Sequence, residues 1–125
     1  MNDYQRMMKY MSKAKDTTKG RPLGRGTRMK MRVIDNTPVV DVVYHKTVVV
    51  RVTPTHTDID NGGYYTRTTA MRINNFLPTG CSVRRRKGSW YYVNRAGKVY
   101  EFAHSMRINN DGQVQTKDGL NLNSI

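Results

Sequence analysis

Residues 84–92 read Arg84-Arg85-Arg86-Lys87-Gly88-Ser89-Trp90-Tyr91-Tyr92. Four consecutive cations at the rim of a β-hairpin, running on into Trp and Tyr, supply charge for phosphates and flat rings for stacking on bases. Alternation along a strand puts Arg84 and Arg86 on one face and Arg85 on the other, with Trp90 and Tyr92 sharing a face. From that face Trp90 and Tyr92 either stack on bases or anchor a core, the usual place of a lone Trp. A second basic group, Lys19, Arg21, Arg25, Arg28, Lys30 and Arg32, is interleaved with Gly20, Gly24 and Gly26. Free backbone with regular charge suits an arm that settles along a phosphate backbone, or a solvated linker.

Tyr44-His45-Lys46-Thr47, Thr66 to Thr69 and Arg72 contain the ingredients of a metal-free ribonuclease. His45 would be a general base, Thr66 or Thr68 would orient or attack, and Arg72 or Arg67 would stabilise phosphate charge. No spacing pairs His45 with a second histidine, because His56 sits in a Thr-rich turn and His104 follows Phe102-Ala103. The simpler assignment makes Thr68 or Thr69 a helix cap, puts Arg72 on a solvent face and leaves His45 at a strand end. His45, His56 and His104 with Asp58 and Asp60 lack the short fixed spacings of zinc or calcium sites. Gly24-Arg25-Gly26 and Asn61-Gly62-Gly63 are too short for a nucleotide-phosphate loop. No metal or cofactor is expected.

The elements that must position these groups follow from the pattern. Tyr4, Met7, Met11 and Ala14 recur at helical spacing over residues 2–15, with Arg6, Lys9 and Lys13 on the other side, which predicts a basic amphipathic helix. Its Met-rich face suits an adaptable contact with the body or with a partner. Residues 16–28 read as the arm. From Met29 onward short β-type segments are expected at 29–34, ended by Thr37-Pro38, then at 39–44 and 47–53. In the last of these Val48, Val50 and Val52 share one face, and Val49 and Arg51 the other. Asn61-Gly62-Gly63 signals a hairpin from 57–60 into a return strand at 64–67. Residues 69–77 read as one helix, ended by Pro78-Thr79-Gly80. Strands at 81–86, 90–94 and 98–102 form a meander, and 106–108 pairs with 114–116 across Asn109-Asn110-Asp111-Gly112. The expected class is α+β: a mainly antiparallel twisted sheet or open small barrel, one packed short helix and an N-terminal basic helix and arm. The division is 1–28 helix and arm, 29–117 body, and 118–125 tail.

The 125 residues carry 22 Lys and Arg against 9 acids, a net charge of +13. That length builds one domain and excludes a multidomain enzyme. No apolar run approaches the roughly 20 residues of a membrane span, the opening residues lack a secretory h-region, and Cys81 stands alone. A soluble protein of a reducing compartment, with no membrane partner, is expected. The charge is local: residues 1–32 hold ten Lys and Arg against two acids, residues 81–98 hold six against none, and residues 33–80 balance. Two confined blocks of this kind attract polyanions.

Tyr44-His45-Lys46-Thr47-Val48-Val49, Asn61 to Thr69, Arg72-Ile73-Asn74 and Arg86 to Tyr91 together resemble small uncharacterised proteins of tailed bacteriophages, over about residues 42–93. The resemblance implies a phage origin and action in the cytoplasm of an infected bacterium, and it carries no activity with it.

The leading expectation is a non-enzymatic protein that binds RNA or single-stranded DNA, with duplex DNA also open. Contacts would run mainly through the backbone, from Arg84, Arg85, Arg86, Lys87, Trp90 and Tyr92 and from the six N-terminal cations. Neutralising 84–87 or deleting 1–28 should weaken binding, whereas Asp58 and Asp60 should matter little. The other readings are a phage protein that binds and inhibits or redirects a host protein complex, using basic residues to occupy an acidic or nucleic-acid-binding surface and supported by its amphipathic Tyr4/Met7/Met11 face, a small metal-independent ribonuclease at His45 and Arg72, and a virion component.

Overall fold

A computed structural model describes residues 4–13, 19–24, 26–102 and 105–115. Ten strands and two helices follow in the order α1 (Tyr4–Met11), β1 (Arg21–Gly24), β2 (Thr27–Ile34), β3 (Thr37–Tyr44), β4 (Thr47–Val52), β5 (His56–Asp60), α2 (Arg67–Asn74), β6 (Ser82–Arg86), β7 (Ser89–Val93), β8 (Val99–Phe102), β9 (Ser105–Asn109) and β10 (Val114–Gln115). The fold is mainly sheet, and neither sheet closes into a barrel. Seven strands form one antiparallel sheet in the order β1-β2-β3-β4-β5-β9-β10, and β6-β7-β8 form a second. The chain thus builds five strands, leaves for α2 and the small sheet, and returns at β9 to pair with β5.

Valine density explains β3 and β4, where β-branched side chains fit a pleated, half-buried surface. Asp35 and Asn36, with φ of 50° and 64°, make the two-residue turn between β2 and β3. Thr37-Pro38 therefore opens β3 instead of closing β2. Pro38 is tolerated because β4 reaches only as far as Val40, so no neighbour on that side needs its missing N–H.

The expected alternation in β4 breaks at one residue. Val42 pairs with Val50 and Val43 with Val48, so Val49 is an extra residue, a β-bulge. Val49 and Val50 are both buried as a result, while Val48 is only half-buried. The return strand expected at 64–67 does not form. Asp60 and Asn61 side chains accept from the Gly62 and Gly63 amides, at 2.6 and 2.8 Å. This turn sends the chain into α2, because β4 and β9 already occupy both edges of β5.

α1 keeps its expected apolar face, and Met7 and Met11 lie in the core beside Met29, Val40 and Val42. Ala14 lies outside the described residues. The short α2 begins two residues earlier than the sequence suggests, with Thr66, not Thr68 or Thr69, as its N-cap. Thr66 Oγ1 accepts from the Thr69 amide at 3.2 Å. At its other end the Asn74 amide group pairs with both backbone groups of Val83, at 2.6 and 3.0 Å, and ties α2 to β6. One hydrophobic cluster joins both sheets and both helices.

Candidate nucleic-acid interface

The structure sorts the cations by what already holds them. Across the outer face of the large sheet, register places Lys30, Asp41, Arg51, Asp58 and Arg107 in a single row of alternating sign. Arg51 donates to both Asp41 oxygens at 2.7 and 2.9 Å, and Arg107 to both Asp58 oxygens at 2.7 and 3.0 Å. Paired forks of this geometry are the strong form of an ion pair. The carboxylate partners raise both arginine pKa values further. Arg32 lies 3.5 Å from Asp41 and joins the same network. That row was not foreseen: its members come from five strands, and only register shows them to be neighbours.

Two of the N-terminal candidates, Arg21 and Arg28, hold backbone carbonyls. Arg21 donates to the Tyr10 carbonyl at 2.9 Å and stands 3.9 Å over the Tyr10 ring, while Tyr10 donates back to the Pro22 carbonyl at 3.2 Å. Arg28 donates to the Lys19 and Gly20 carbonyls, both at 2.9 Å. These bonds clasp β1 to α1 and to β2. Residues 21–24, read as part of an arm, are thus a sheet strand, and the burial of Met7 and Met11 makes the first helix part of the body. Lys19 is exposed and Lys30 half-buried, and Arg25 lies outside the described residues.

The β6–β7 hairpin is different. Lys87 and Gly88, with φ of 52° and 82°, form its tight turn, and Arg84, Arg85, Arg86 and Lys87 are all exposed. Arg84 donates to Ser82 at 3.2 Å, but among the described residues no carboxylate pairs with any of the four. The small sheet has one buried face, made by Val83, Trp90, Tyr92, Tyr100 and Phe102. Trp90 and Tyr92 are 1% and 0% exposed, so neither can offer a ring to a base. Trp90 instead packs on Phe102 and edge-on to Tyr65, at centroid distances of 5.5 and 5.6 Å. Tyr92 donates to the Gly112 carbonyl at 2.6 Å, and burial pushes its phenol pKa well above the ordinary value. The aromatic residue left on the outward face is Tyr91, directly opposite Arg84. The alternation that separates Trp90 and Tyr92 from Tyr91 was visible in the sequence, but which face is buried was not.

The ribonuclease candidates come together in part. Tyr44 stacks on His45 at 4.3 Å, and the Arg72 guanidinium lies 5.9 Å over the Tyr44 ring. His45 sits in the exposed β3–β4 turn at a φ of 55°, and Arg72 is half-buried, not on an open solvent face. The Thr66 hydroxyl is occupied by the helix cap. His56 lies 3.6 Å from Asp58, which Arg107 already holds, and the Asp60 carboxylate closes a turn. His104 lies outside the described residues.

Residues 5–109 match the family model described as Kyanoviridae Gp96 protein. The chain belongs to this phage protein family. The match extends well beyond the segment of 42–93 that carried the resemblance, and it takes in α1, the large sheet through β9 and the whole small sheet. Comparison with curated proteins and with solved structures gives no match. Among the described residues no helix is long and apolar enough to cross a membrane.

Proposed function

We propose that this Gp96-family chain is a non-enzymatic nucleic-acid-binding protein that acts in the cytoplasm of the infected bacterium, with the β6–β7 hairpin as its contact. One observation carries the reading: Arg84, Arg85, Arg86 and Lys87 are all exposed and, among the described residues, pair with no carboxylate, whereas Arg32, Arg51 and Arg107 are neutralised by Asp41 and Asp58. Unpaired cations release counterions when they meet phosphates; paired ones have little left to give. Binding through such contacts is broad in sequence and falls steeply with salt.

The test is a titration of labelled RNA, single-stranded DNA and duplex DNA at several salt concentrations, with the four cations changed to Gln. The expected result is weaker binding to all three, with the slope of log K against log salt flattened by about 0.7 for each single-strand phosphate that the variant no longer neutralises. A folded quadruple variant that binds as the parent does would overturn the proposal. Deleting residues 1–28 is not a clean companion, because it removes β1 and two core methionines.

A further inference from the structure

The outward face of the small sheet has more than charge. Register sets Arg84, Tyr91 and Glu101 side by side in one row, and Ser82, Val93 and Val99 in another. Of these, Arg84, Tyr91, Val93 and Val99 line a groove of about 650 Å³ together with Arg86, Ser89 and the hairpin tip. Its floor is Tyr91, Val93 and Val99, all half-buried, and nothing in the described chain covers it. Six of the eight tyrosines use their ring or hydroxyl inside the molecule: Tyr4, Tyr10, Tyr44, Tyr65, Tyr92 and Tyr100. Among the described residues the Tyr91 ring has no such partner.

We propose that this face is a stacking platform for a single-stranded nucleic acid, with a base on Tyr91 and the backbone along Arg84 and Arg86. The proposal rests on the reading of the hairpin as a nucleic-acid contact and adds a selection to it. A duplex hides the faces of its bases, so an apolar floor under a cationic rim gains nothing from it. A single strand offers both phosphates and rings. Arg84 and Arg86 are two residues apart on one strand, about 6.7 Å, a separation near that of successive phosphates in an extended single strand. Glu101 stands on the opposite side of Tyr91 and repels phosphate, which keeps the backbone on the β6 side and turns the base toward β8. The chemistry is shared by RNA and single-stranded DNA.

The test compares oligo-U, oligo-dT and a DNA duplex of equal length against the parent chain, Tyr91→Leu, Tyr91→Thr, Glu101→Gln and Arg84→Gln/Arg86→Gln, each checked for folding by circular dichroism. Both Tyr91 variants should lose about tenfold in affinity for the single strands, keep the parent's salt slope and leave duplex binding unchanged. Glu101→Gln should tighten single-strand binding. The two single-strand arms separate RNA from DNA as the preferred source. Single-strand affinity within twofold of the parent in both folded Tyr91 variants, or an equal loss on duplex and single strand, would overturn the platform while leaving the hairpin reading intact. If the double arginine variant binds all three ligands as the parent does, the hairpin reading itself fails, and the platform with it.

Discussion

Asp41 shows how much one side chain can carry on a sheet face. Its carboxylate is 3% exposed, accepts two bonds from Arg51 and lies near Arg32. Removing the charge strands a guanidinium that the fold has partly desolvated. Asp41→Asn should lower stability by about 3 kcal/mol, the low end for breaking a buried pair, because Arg51 remains 28% exposed. A shift of the urea midpoint at constant m-value measures it. His56 gives the pH counterpart. Burial lowers its pKa and outweighs the favourable charge of Asp58, with Arg107 acting in the same direction as burial. The unfolded chain therefore takes up the proton first as pH falls. Stability is complete above the unfolded value of about 6.5 and declines below it until His56 charges in the folded protein too. His56→Gln should remove part of the difference between urea midpoints at about pH 7.5 and about pH 5.5; an unchanged difference would refute the assignment.

At the scale of elements, α2 has only eight residues and depends on its ends. Thr66 caps one end and Asn74 binds Val83 at the other. Thr66→Ala should cost about 1 kcal/mol, whereas Thr66→Asp should cost little; thermal unfolding of the two variants side by side decides it. The location of this helix was legible, from Ala70, Ile73 and the Pro78-Thr79-Gly80 stop. Its start was not, because Thr66, Thr68 and Thr69 are equally good caps by residue type and only the path of the chain out of β5 chooses among them. β4 teaches the same lesson. Its valines announced a strand, but the bulge at Val49 arises from pairing with β3, which no pattern within residues 47–52 contains.

At the scale of the whole molecule, the two sheets are joined where Tyr92 of the small one donates to Gly112, between β9 and β10 of the large one. Gly112 has a φ of 86°, and a Cβ there would come within 2.7 Å of Cys81 Sγ, so the site accepts only glycine without rearrangement. Tyr92→Phe leaves that buried carbonyl unpaired and should lower stability by about 1–3 kcal/mol. Calorimetry should show a single transition at lower temperature if the sheets unfold together. Two separate transitions in this variant would mean that the deleted bond is what couples the sheets, and a single one that their shared hydrophobic cluster does.

What residue type and spacing determined by themselves was the strand-rich class, the β6–β7 and β9–β10 hairpins, the apolar face of the first helix and the two basic blocks. Those depend on neighbours within a few residues: turn chemistry, alternation and helical period are local. Tertiary structure decided which cations are free and which ring is outside. Arg51 and Arg107 look no different in sequence from Arg84 and Arg86, yet register across β3, β4, β5 and β9 pairs the first two with carboxylates, while among the described residues none pairs with the second two. Trp90 looked the better stacking residue than Tyr91. The core took it because a strand has two faces, and only the packing of the small sheet on the large one fixes which of them meets water.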